Sequence, residues 1–174
     1  MRYTLFIVLL IFSACSEPKK KELRSYEDLK GFFNSEAQRL AKADPEIKKT
    51  VARNDNSETR LIKNIDWKVE LSLFAESDIN KPAWQNSYKV ITQAGKTVYL
   101  ASDTNLRTRE ISITKDTLGK ITKVRIVNHT KNLLYSSVEQ LVYIPDSLYQ
   151  ISKQQHVAVI GENRYFINGI LDHQ

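Results

Sequence analysis

The sequence predicts an α+β domain: an N-terminal helix, a β-hairpin and a second helix packed on a twisted antiparallel meander of six to seven strands. Three observations carry this expectation. Apolar residues recur at helical spacing through 26–40 and again through 67–74. Short stretches rich in β-branched and aromatic residues then follow one another to the C-terminus. Turn residues separate most of them. Neither a helix stripe nor a sheet face is buried alone, so the helices are expected to cover the sheet's apolar face.

The first helix is expected over 25–42. Tyr26, Leu29, Phe33, Ala37 and Leu40 share one stripe. Ser25 stands at the N-cap, Glu27 and Asp28 suit the positive end of the helix dipole, and Pro45 closes the element. Gly31 weakens it by up to about 1 kcal/mol. Asn54-Asp55-Asn56-Ser57 is turn chemistry between β-branched and polar flanks, which predicts a hairpin of 46–53 with 58–64. Asp44-Pro45-Glu46 also has the form of a helix start, so a helix over 45–53 is the alternative. The second helix spans 66–77, with Asp66 as cap and Trp67, Leu71 and Phe74 on one face; Lys81-Pro82 ends it or a short continuation. Trp67 and Trp84 are read as core residues, since large aromatics dominate burial.

The meander begins near Asn86. Its strands are SYKVITQ, KTVYLAS, REISITK, ITKVRIVN, LLYSSVEQLVYI, SLYQISKQQHVAVI and RYFINGIL. Turns are expected at Ala94-Gly95, Asp103–Asn105, Asp116–Gly119, Thr130–Asn132, Pro145-Asp146 and Gly161–Asn163. Ile111 and Ile113 point one way, and Val124 and Ile126 alternate with Lys123 and Arg125, the pattern of a sheet with one buried and one wetter face.

The N-terminus reads as an address. Leu5 to Phe12 is an unbroken apolar run, far short of the roughly 20 residues a spanning helix needs. Arg2 precedes it and Ser13-Ala14 follow, the layout of a secretory signal. Phe12-Ser13-Ala14-Cys15 resembles the lipobox of bacterial lipoproteins, with Phe12 where Leu is usual. The resemblance implies cleavage before Cys15 and acylation of its thiol. Cys15 is the chain's single cysteine, so no internal disulfide competes for it. The expected organisation is a signal peptide over 1–14, a lipidated flexible tether over 15–24, and one domain over 25–174. Two or three acyl chains anchor stably, at about 0.8 kcal/mol per buried CH₂.

The chain carries a formal net charge of +6, which loss of Arg2 lowers to +5. Lys19-Lys20-Lys21 is the one tight basic run and sits beside the expected lipid. The run reads first as a solvated tether and second as a contact with the membrane surface, while no nucleic-acid motif is present. The basic tether lacks the acidic cluster that directs some lipoproteins to the cell surface. By that resemblance the expected location is the cell envelope, at the outer membrane and facing the periplasm.

Catalytic signatures are sparse. His129, His156 and His173 form no HExxH or i, i+4 pair, and no GxSxG, Walker or GxGxxG pattern occurs. Asp55-Asn56-Ser57-Glu58 lacks the glycine of a calcium loop. Glu70, Glu76, Asp103 and Glu110 are the carboxylates near element ends, and the serines of YSSVE are open to any base the fold supplies. No catalytic, metal or cofactor residue is therefore assigned. Asp116-Thr117-Leu118 and Asp146-Ser147-Leu148 resemble an O-glycosylation signal of Bacteroidota envelope proteins, which would place glycans on Thr117 and Ser147. Asn128-His129-Thr130 fits an N-glycosylation sequon.

LKGFFNSEAQRL, SETR, DWKVELSLFAESDINKPAWQNSY and TKNLLYSSVEQLVYIPDSLYQI together resemble a family of small lipoproteins of the Bacteroidota. That resemblance implies an envelope lipoprotein and supplies no catalytic residues. The expected function is a non-enzymatic binding module with an apolar ligand or a protein partner. The alternatives are a half-barrel carrier, requiring an apolar cavity of several hundred Å³ under the helices, and a glycan-processing hydrolase, requiring clustered acids or a Ser beside a His.

Overall fold

The computed structural model describes residues 26–171, so the expected signal segment, Cys15 and His173 lie outside the described residues. One antiparallel sheet of nine strands dominates, and one helix of 15 residues and two of 4 lie on one of its faces. The α+β class holds, with more strands than expected.

The difference lies in the hairpin. Strands β1 (Ile47–Arg53) and β2 (Asn56–Ile62) form around Asn54, whose φ of 52° is the left-handed geometry that asparagine tolerates. The helical alternative for 45–53 is overturned. The hairpin does not pack on the meander. It extends it, because β1 pairs antiparallel with the last strand, β9 (Gly161–Leu171). The seven meander strands are β3 (Tyr88–Gln93), β4 (Lys96–Ala101), β5 (Thr108–Lys115), β6 (Ile121–Lys131), β7 (Tyr135–Ile144), β8 (Leu148–Val157) and β9. The full order is β2-β1-β9-β8-β7-β6-β5-β4-β3. Nothing in local patterning reveals a pairing between residues more than 100 positions apart.

Two turns are displaced from their expected places. Lys131 still belongs to β6, and the turn falls at Asn132, Leu133 and Leu134. Gly161 to Asn163 belong to β9, and the turn falls at Ala158 to Ile160. Gly161 enters the strand at φ 86°, a conformation only glycine adopts cheaply.

Helix α1 runs over Leu29–Ala43 and starts later than expected. Asp28, rather than Ser25, is the N-cap: its carboxylate accepts from the Gly31 amide at 2.9 Å. Gly31 is explained by the same contact, since a β-carbon there would collide with that carboxylate. The second helix breaks in two, α2 (Trp67–Glu70) and α3 (Ser72–Ala75), after the expected Asp66 cap.

Cross-strand registers show which side chains share a face. The covered face carries Ile111, Ile113, Val124, Ile126, Leu141, Tyr143, Tyr149 and Ile151, all buried. Phe33, Trp67 and Phe74 fill the space above them, with Phe33 at 5.3 Å from Tyr143 and Trp67 at 6.1 Å from Tyr149, edge-on. Trp84 corrects the reading of both tryptophans as core: it sits at the margin in a 3-10 turn, with the Lys81 ammonium 4.1 Å from its ring.

Two tyrosine hydroxyls pin the helices to the sheet. Tyr143 donates to Glu36 of α1 and Tyr149 to Glu70 of α2, each at 2.5 Å. Burial and the acidic neighbour push both phenols far above their ordinary range. Lys49 of β1 meets Glu70 at 2.7 Å, so the hairpin, α2 and β8 are tied at one point.

Candidate functional site

The helices cover only part of the sheet's face. Their cover ends at a row that the registers define across six strands: Thr108, Asn128, Glu139, Lys153, Tyr165 and Arg53. Ser77, just past α3, closes over the start of this row, where its hydroxyl accepts from the Asn128 amide at 2.9 Å. Beyond it lies the loop end of the sheet, where the β1–β2, β4–β5, β6–β7 and β8–β9 connections meet.

Glu139 is the buried charge of this row, 7% exposed. Arg107 reaches it at 2.9 Å and Lys153 at 3.2 Å. Burial alone would raise the carboxyl's pKa; the two cations outweigh burial and hold it below the ordinary value. On Lys153 burial works to lower the pKa, and bonds to Tyr135 and Glu139 win and raise it.

Arg107 also lines a basin of about 420 Å³ with Thr104, Asn105, Arg109, His129, Thr130 and Lys131. A β-bulge between Thr108 and Glu110 sets Arg109 there. One terminal nitrogen of Arg109 donates to the Asp103 carbonyl at 3.1 Å, while its Nε is buried without a partner. Among the described residues no carboxylate lines the basin.

The neighbouring loop tips are apolar. Leu133 is 100% exposed and Leu134 67%, and beside them Val159 is 92% and Ile160 74%. The Ala158 amide donates to the Leu134 carbonyl at 3.0 Å, which joins the two tips.

Ser136, His156 and Glu162 form a row of their own across β7, β8 and β9. Their order is that of a nucleophile, a base and an orienting acid, and they line a recess of about 200 Å³. His156 and Glu162 are exposed, and no hydrogen bond joins the three side chains. The neighbouring backbone N–H groups lie in paired strands, which leaves no pair of free amides aimed at one point as an oxyanion hole.

The other residues considered from sequence are scattered. Glu70 serves the Tyr149 and Lys49 contacts, Glu110 pairs with Arg125 at 2.8 Å, the Asp103 carboxylate accepts from the Asn105 amide, and Glu76 is solvent-exposed. Asn128 is buried, which removes the N-glycosylation sequon from reach. Thr117 is exposed in the β5–β6 turn and Ser147 half-buried in the β7–β8 turn, both at the end of the sheet opposite the basin. Among the described residues no group of three His, Cys, Asp or Glu side chains is placed to hold a metal ion, and no helix is long and apolar enough to cross a membrane.

Sequence reasoning missed the basin and the tips. Arg107-Thr108-Arg109 at a turn–strand junction was the available signal for the basin. Leu133-Leu134 and Val159-Ile160 read as strand because their composition is that of strand.

No protein-family model matches the chain, no curated protein matches its sequence, and no solved structure matches its fold.

Proposed function

We propose that this protein is a lipid-anchored lipoprotein of a bacterial envelope, held through acylated Cys15 and facing the periplasm at the outer membrane, with a domain that acts as a non-enzymatic binding module. The observation that carries the binding role is the loop end, where helix cover stops and the basin cations lie beside four exposed aliphatic side chains. Contiguous apolar exposure rimmed by charge marks an interaction surface. The aromatic rings that fill the helix–sheet layer favour an interaction surface over a carrier cavity. The resemblance to small lipoproteins of the Bacteroidota points to the same envelope role. Intact mass of the protein extracted from its native membrane tests the anchor. The expected product lacks residues 1–14 and carries acyl chains that disappear with Cys15→Ala; an unacylated wild-type product would overturn it.

A second reading, a hydrolase, rests on the Ser136–His156–Glu162 row. The missing hydrogen bonds and oxyanion donors weigh against it. A fluorophosphonate probe decides: stoichiometric labelling lost in Ser136→Ala would establish the hydrolase, and no labelling is expected.

A further inference from the structure

We infer that the loop end is a second membrane contact, in which the aliphatic tips enter the bilayer and the basin takes the phosphate of a lipid headgroup. The inference deepens the proposed anchored module and names what its surface meets.

The basin supplies the chemistry for a phosphate. Arg107, Arg109, His129 and Lys131 converge with three hydroxyl or amide side chains and no carboxylate. Arg107 already serves Glu139 and one terminal nitrogen of Arg109 serves the Asp103 carbonyl, so among the described residues the uncommitted side-chain donors are the remaining ones of Arg109 and those of His129 and Lys131. Arg109 lines the basin while its Nε is buried and unpartnered among the described residues, a desolvated donor on a side chain that faces the site. A space of about 420 Å³ admits one phosphate group with part of its substituent.

The tips argue for a lipid source of that phosphate. Leu133 and Leu134 follow Lys131 after one residue, so apolar tip and basin are continuous along the chain. Val159 and Ile160 stand on the adjacent, hydrogen-bonded tip. These four side chains project, strongly exposed, from turns at the end of the sheet, so they fit a yielding apolar medium with an anionic surface. Ten residues separate Cys15 from Tyr26, eleven Cα–Cα steps that at full stretch span roughly 36 Å, which lets an anchored domain bring this end to the bilayer.

Leu118 is the internal control: 91% exposed, yet in the β5–β6 turn at the opposite end of the sheet. An environment-sensitive fluorophore is attached to Leu134→Cys or Leu118→Cys in the full chain. Each protein is reconstituted in vesicles of phosphatidylethanolamine, with and without phosphatidylglycerol. The position-134 label is expected to move to an apolar environment and the position-118 label to stay in water. The shift should need the anionic lipid and weaken about fivefold in apparent lipid affinity in Lys131→Gln, the effect of one cation near the surface. Arg109→Gln should weaken it at least as much, with an unchanged circular dichroism spectrum. Equal signals from the two positions, or a shift indifferent to both anionic lipid and Lys131→Gln, would overturn the inference. Tight binding of inorganic phosphate with no shift in vesicles would give the basin to a soluble oxyanion and overturn the lipid source. The unacylated Cys15→Ala chain with its signal removed, added to the same vesicles, separates this inference from the anchor: the 134 shift persists there if the tips bind, whatever the fate of Cys15.

Discussion

Gly169→Ala tests the packing that holds the helices on the sheet. Gly169 lies in β9 opposite Tyr149 of β8 and Lys49 of β1, and it is buried. Its φ is not left-handed, so the backbone accepts alanine and the cost is steric. A methyl group there overlaps the Tyr149 ring, which is fully buried under Trp67. Overpacking a filled core costs roughly 1–3 kcal/mol. If the ring swings aside, its hydroxyl leaves the Glu70 carboxylate, and a hydrogen bond to a charged group is worth roughly 1.5–3 kcal/mol. Glu70 is then left with Lys49 as its partner. The total is about 2.5–6 kcal/mol, a large part of a domain stability of about 5–15 kcal/mol. With a urea slope of about 2 kcal/mol/M, the midpoint should fall by roughly 2 M. In a Tyr149→Leu background the ring is gone and the same methyl should cost under about 1 kcal/mol, a non-additivity that a double-mutant cycle reads directly. A midpoint change below about 0.3 M for Gly169→Ala alone would refute the reasoning, since the ring would then not rest on this glycine.

Glu139→Gln should destabilise by about 1–2 kcal/mol in urea unfolding: it leaves Arg107 and Lys153 without their counter-charge, and their partial exposure tempers the loss. Stability should also fall in acid. The Glu139 and Glu36 carboxyls sit below their ordinary 4.5 in the folded state, so their contribution is present above that value and is lost as pH falls through the folded value. Urea midpoints at pH 7, 5, 4 and 3 should decline, less steeply in Glu139→Gln. At the alkaline end the sign reverses for a raised group: burial pushes Tyr88 up to about 12, so its stabilisation is intact below pH 10 and lost as pH rises toward 12. Tyrosinate absorbance should show Tyr88 ionising only as the domain unfolds. Asp28→Ala should cost about 1 kcal/mol by removing the α1 cap, seen as a lower thermal midpoint.

The helix stripe of 29–40, the Asp66 cap, the hairpin around Asn54 and the alternation of Ile111, Ile113, Val124 and Ile126 were all legible in the sequence. Each is a local matter, decided by side-chain spacing or by one residue's backbone preference. Tertiary structure alone decided the rest. The pairing of β1 with β9 turned a separate hairpin into the continuation of the sheet, through ladder bonds that carry no sequence signature. The second helix divides at Leu71, whose φ of −94° and ψ of 6° depart from helical geometry although Trp67, Leu71 and Phe74 all stay buried as their spacing predicts. Arg107, Arg109, His129 and Lys131 met because strands β5 and β6 are neighbours and a bulge turned Arg109 outward. Leu133 and Val159 became exposed tips because the turns fell on them. Convergence of side chains from separate strands is a property of register, and register is set only when the faces of the whole sheet are buried or left open together.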